Sequence, residues 1–112
     1  MNKKRRGRSE ERPRSVRVLL RIPIRVLGES SAGQPVDEVA ETLAVSRHGA
    51  LVKTTTGLRP DSKVRVENPD NHQSATFRVV WAKAKPLDGA WHAGLELTAG
   101  KPALWGIKFP PE

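Results

Sequence analysis

The 112-residue chain contains no cysteine. That removes disulfides and thiolate metal sites and fits a reducing compartment. No apolar run approaches the roughly 18 residues that cross a bilayer, and no apolar stretch follows the basic start as a secretory leader requires. The expectation is a cytoplasmic protein without membrane insertion. The three histidines, His48, His72 and His92, fall on separate segments without the close spacing of a zinc site, so no metal is expected. Signals for catalysis are equally sparse. There is no phosphate-cradling glycine loop and no dinucleotide fingerprint. No nucleophile elbow surrounds Ser46, and His48, two residues on in a turn, lies outside the usual geometry of a nucleophile and its base. Glu38 and Glu41 fit a polar strand face. Neither catalysis nor a cofactor is expected. The chain also has no internal repeat and no long helix.

What the chain does have is a concentrated positive charge. Residues 1–25 carry ten basic groups against Glu10 and Glu11, whereas the remaining residues carry ten of each sign. The whole formal excess of +8 therefore sits on the N-terminal arm and the first strand. Such an arm must be solvated or face an anion. Residues 1–16 hold almost no apolar side chains and are expected to be mobile without a ligand. Residues 1–11 read most simply as a solubility arm, whereas Arg12, Arg14 and Arg17 abut the first strand and suit a ligand-facing role.

From Arg17 onward the pattern is period two, the signature of half-buried strands. Val18, Leu20, Ile22, Ile24 and Val26 share one face, and Pro23 suggests an edge or a bulge. After a polar loop from Gly28 to Pro35, Val39, Glu41, Leu43 and Val45 alternate with Ala40, Thr42, Ala44 and Ser46. A short turn, Ser46-Arg47-His48-Gly49, leads into a third strand, Ala50 to Thr54, paired back on the second. Val64 and Val66 mark a fourth strand, and Asn68-Pro69-Asp70-Asn71 a dense turn. The fifth carries Phe77, Val79 and Trp81 on one face, and the sixth carries Trp91, Ala93, Leu95 and Leu97. Six short strands with frequent turns describe one all-β domain, an antiparallel barrel or sandwich. The tail, with Leu104, Trp105, Ile107 and Phe109, is too apolar for a free end and is expected to form a helical turn that plugs one mouth. Buried tryptophans are usual in so small a barrel.

Arginines leading into a strand can meet phosphates with paired N–H groups, stack on a purine and read the O6/N7 edge of guanine. A serine and a close-approach glycine at a strand turn add a hydroxyl and backbone N–H groups. Together these suit a guanine nucleotide with more than one phosphate. The residues that carry this chemistry resemble a PilZ domain. That family has an arginine-rich arm of pattern RxxxR running into a first strand, a [DN]xSxxG turn between the second and third strands, and a glycine near the end of the last strand. Here the arm reads Arg12-Pro13-Arg14-Ser15-Val16-Arg17, the turn Ala44-Val45-Ser46-Arg47-His48-Gly49, and the late glycine is Gly94 in Trp91-His92-Ala93-Gly94-Leu95. The likeness spans residues 11 to 98. Two positions depart from it: Pro13 stands where the first arginine is expected, flanked by Arg12 and Arg14, and Ala44 replaces the acidic or amide residue.

The resemblance implies a six-stranded antiparallel barrel over residues 12–112 with a basic arm at 1–11. It also implies a receptor for the dinucleotide second messenger cyclic di-GMP, held by Arg12, Arg14, Arg17, Ser46, Arg47, Gly49 and Gly94. A mobile arm folding over the ligand would alter the surface read by an effector protein. Two other readings compete. One is a protein-docking module that has lost the nucleotide. The other is nucleic-acid binding through the arm, against which no aromatic residue interleaves the arginines to stack bases.

Overall fold

A strand with one apolar face must have that face covered, and a sheet that curls until its ends pair covers its own. The computed structural model describes residues 16–83, 85–86 and 88–109. The arm at 1–11, its boundary with the domain, and Arg12, Pro13 and Arg14 lie outside the described residues. Six antiparallel strands form a closed barrel: β1 (Pro23–Glu29), β2 (Pro35–Val45), β3 (Gly49–Thr54), β4 (Lys63–Asn68), β5 (Gln73–Ala82) and β6 (Trp91–Ala99). Around the ring their order is β1-β2-β3-β6-β5-β4, and Arg25, Val26 and Leu27 of β1 pair with Glu67, Val66 and Arg65 of β4 to close it. The barrel, rather than the sandwich, is the architecture these alternating segments adopt.

The inward faces are mainly β-branched. Ile24, Val26, Val52, Val64, Val66 and Val79 are all essentially inaccessible and pack around Phe77. Branched side chains suit a pleated, crowded wall, and each such burial contributes about 1.5–3 kcal/mol. Residues 102–105 form a short 3-10 turn that ends at Gly106, whose φ of 76° is left-handed. It buries Leu104 and Trp105, and the Trp105 ring lies 5.7 Å from that of Phe77. The buried Asn68 donates from Nδ2 to the Leu104 carbonyl at 2.7 Å, tying the turn to the β4–β5 connection. The tail thus closes the mouth that also carries the β2–β3 turn.

Three details differ from the sequence expectations. Regular pairing of the first strand starts at Pro23, not Arg17; residues before it join the barrel through an isolated bridge between Val18 and Val45. Pro23, with no N–H to give, therefore stands at the start of β1, before the stretch that β4 pairs. In β2 Ala40 and Thr42 face inward, and a register shift between Thr42 and Ala44 then brings Val45 into the core and leaves Ala44 on the outer side; Val39 is exposed. In β5 a second shift falls between Val79 and Trp81. Val79 still follows Ala75 and Phe77 into the core, but beyond the shift Trp81 stands on the outer wall, 43% exposed, so it does not share the inner face of Phe77 and is not a core tryptophan.

The outer wall is laced with ion pairs. Arg25 donates from Nε and Nη2 to the two carboxylate oxygens of Asp37 at 2.9 and 2.8 Å. This hydrogen bonding lowers the Asp37 carboxyl below its ordinary range. Both side chains are exposed, so the pair is worth little. A carboxyl lowered by folding stabilises the native state above its unfolded value and ceases to as pH falls through the folded one. Asp37→Asn should therefore melt slightly below wild type near neutral pH, with the gap closing in acid. A gap that widens in acid would contradict this assignment.

Candidate functional site

The site begins with the need to reverse the chain between β2 and β3. Ser46 N–H donates to the Gly49 carbonyl at 2.9 Å. The Ser46 hydroxyl oxygen accepts from the N–H groups of His48 and Gly49 at 3.2 and 3.1 Å. This is a serine-built turn of the kind that competes with regular pairing and so ends strands. The sequence reading assigns those N–H groups to a ligand; the structure turns them onto Ser46 Oγ instead. Gly49 is demanded by the fold as well. A Cβ there would stand 2.0 Å from the Leu95 carbonyl oxygen of β6, a distance no side chain adopts.

The segment before β1 is then laid against this turn. Val18 and Val45 exchange both backbone hydrogen bonds, at 2.8 and 2.9 Å. One turn further in, the fully buried Thr42 hydroxyl accepts from Ile22 N–H at 3.0 Å and donates to the Leu20 carbonyl. Arg17, one residue before the bridge, is thereby held beside Ser46. Thr42→Val keeps the shape but strands both backbone groups, so it should cost about 1–3 kcal/mol. Denaturant unfolding measures the cost, and faster amide exchange at Val18 and Ile22 locates it. Wild-type stability would mean that water takes over both bonds.

Arg17, Ala44, Ser46, His48, Gly49, Trp81, Gly94 and Glu96 line one open groove of about 370 Å³ on the outer wall. Its cation is available. Among the described residues, Arg21, Arg25, Arg59, Arg65 and Arg78 all pair with carboxylates, and Arg47 donates to the Phe109 carbonyl at 3.2 Å. Arg17 alone of the described arginines makes neither an ion pair nor a hydrogen bond with them. The carboxylate in the groove, Glu96, is bonded by Arg78 Nη2 at 3.1 Å, and Arg78 also reaches Asp61 at 2.9 Å. The groove thus presents an unengaged guanidinium and a carboxylate held by Arg78, a cation that it shares with Asp61.

No protein-family model matches the chain, and no curated protein matches it either. The site is therefore read from its own geometry.

Of the residues picked out from the sequence, Arg17, Ser46, Gly49 and Gly94 come together in this groove, although they lie up to 77 positions apart in the chain. Arg47 does not join them; the turn directs it to the C-terminal tail. Arg12 and Arg14 lie outside the described residues. Ala44, where an acceptor is expected, lines the groove as a buried methyl group. Sequence reasoning missed Trp81. Its Nε1 corner covers Gly94 so closely that a Cβ on Gly94 would stand 2.2 Å from it. The signal was present: Val79-Val80-Trp81 places three large apolar residues in succession, which a period of two cannot bury together. A second groove of about 360 Å³, on the wall around Val39, carries Glu41 and Lys53, which pair at 3.7 Å and offer no net charge. Among the described residues no group of acidic, histidine or cysteine side chains is arranged to hold a metal, and no helix is long and apolar enough to cross a membrane.

Proposed function

We propose that the chain is a PilZ-type receptor domain whose Arg17 groove takes cyclic di-GMP, acting by binding rather than catalysis and signalling to an effector protein in the cytoplasm. One observation supports this above the others. The Val18–Val45 bridge brings the unengaged Arg17 to the Ser46–Gly49 turn and Gly94 in a single groove, the union of elements that the resemblance requires. A planar guanidinium can grip a phosphate through two parallel N–H bonds, or the O6/N7 edge of guanine. The Ser46 hydroxyl accepts twice and gives its own proton to the Gly49 carbonyl only at 3.5 Å, a long bond that a ligand oxygen could replace. With two phosphates and two guanines, the ligand has groups for both.

Calorimetric titration of the whole chain with cyclic di-GMP tests the proposal. Saturable heat that weakens as salt is raised is the expected result. No heat at either low or physiological salt would dismiss the nucleotide. The second reading, a protein-docking module without a nucleotide, draws on Ala44, which puts a methyl group where the resemblance expects an acceptor. It predicts that the silent outcome holds at every ligand concentration.

A further inference from the structure

Tryptophan in a small barrel normally contributes most by burial. Trp105 does so and Trp91 is half-buried, but Trp81 stays 43% exposed. Three features hold it there. The register shift after Val79 turns it out of the core, where its cross-strand partner is Gly94. Gly94 has no Cβ, and the indole lies down on the space this leaves. The groove it lines has small residues, Ala44, Gly49 and Ala50, along with Leu51 and Val80, and the ring remains open to solvent. The result is an aromatic surface left open on the same groove as Arg17. A groove of about 370 Å³ falls within the roughly 300–1,000 Å³ of small-ligand sites, which combine apolar walls with a few polar groups.

A groove meant only for phosphate has no use for an exposed indole, whereas a purine has a face to lay on it. We infer that Trp81, seated on Gly94, is the base-stacking platform of the groove and makes it select purine-bearing phosphates over bare phosphate. The inference rests on the receptor reading and names the residue that supplies base selectivity. Arg17 attracts the anion and Trp81 holds the ring. The Gly94 position is explained by the same arrangement, since any side chain there would lift the indole from the wall.

The experiment compares wild type, Trp81→Ala, Trp81→Phe and Arg17→Ala by calorimetry, with cyclic di-GMP and inorganic pyrophosphate as probes and a melting curve for each variant. Because Trp81 is outside the core, all are expected to melt close to wild type. Trp81→Ala should lose about 5- to 150-fold in cyclic di-GMP affinity. Trp81→Phe should recover much of that loss, and pyrophosphate should bind wild type and Trp81→Ala equally weakly. Wild-type affinity in Trp81→Ala, with Arg17→Ala still impaired, would overturn the platform and leave the receptor reading standing. An equal loss of pyrophosphate in Trp81→Ala would also overturn it, by showing a general disturbance. Absence of cyclic di-GMP binding to wild type would remove both.

Discussion

Gly49→Ala is expected to destabilise the domain by about 3 kcal/mol or more, near the severe end for a single methyl group. The reason is backbone, not side chain. Gly49 pairs with Glu96 where β3 meets β6, and the added Cβ would fall 2.0 Å from the Leu95 carbonyl oxygen. A side-chain neighbour can rotate away, but a carbonyl within a ladder moves only if the strands part. Parting them here loosens the Ser46 turn as well, since Gly49 N–H and its carbonyl are both bonded within it. For a domain of this size the shift corresponds to a melting temperature lower by on the order of 10–20 °C. Differential scanning calorimetry measures it. A variant that melts with wild type would mean that the close approach is absent in solution.

The second large effect is on binding. Arg17→Ala should weaken cyclic di-GMP by about 10- to 150-fold, the equivalent of a lost charge-assisted hydrogen bond, while leaving the melting temperature unchanged. Stability should not move because Arg17 is exposed and holds no partner among the described residues. Arg17→Lys separates charge from geometry. It keeps the attraction but loses the flat, two-pronged fork, so it should fall between wild type and alanine. Equilibrium dialysis with the labelled ligand measures all three. Equal affinity across them would detach Arg17 from the ligand and leave the groove without its cation.

The architecture was legible in the sequence because strand alternation is local. Ile24 and Val26, Val64 and Val66, Phe77 and Val79, Ala93 and Leu95 each announce an inner face two residues apart, and each is buried. The turn chemistry was equally plain at Ser46–Gly49 and at Asn68–Asn71. The apolar tail had to be covered, and Leu104 and Trp105 are. The register shifts were harder to read, because an inserted residue is decided by the partner strand. Thr42–Ala44 and Val79–Trp81 obey the alternation on either side of the break but not across it. The same limit explains the site. Arg17, Ser46 and Gly94 could be named from motif likeness, but their meeting depends on the Val18–Val45 bridge and on which strands neighbour β3 around the ring. The role of Thr42 follows from the buried path of the chain before β1, and no local pattern carries it.

Nuclear magnetic resonance titration of the whole chain with cyclic di-GMP, following backbone amides and the three tryptophan indole N–H signals, tests the groove most directly. Shifts confined to Arg17 and Val18, the turn from Ser46 to Gly49, Gly94 and the Trp81 indole are the predicted result, with Trp105 and the second groove around Val39 unmoved. Saturating ligand that leaves those signals in place, or moves the Val39 wall instead, would contradict the account.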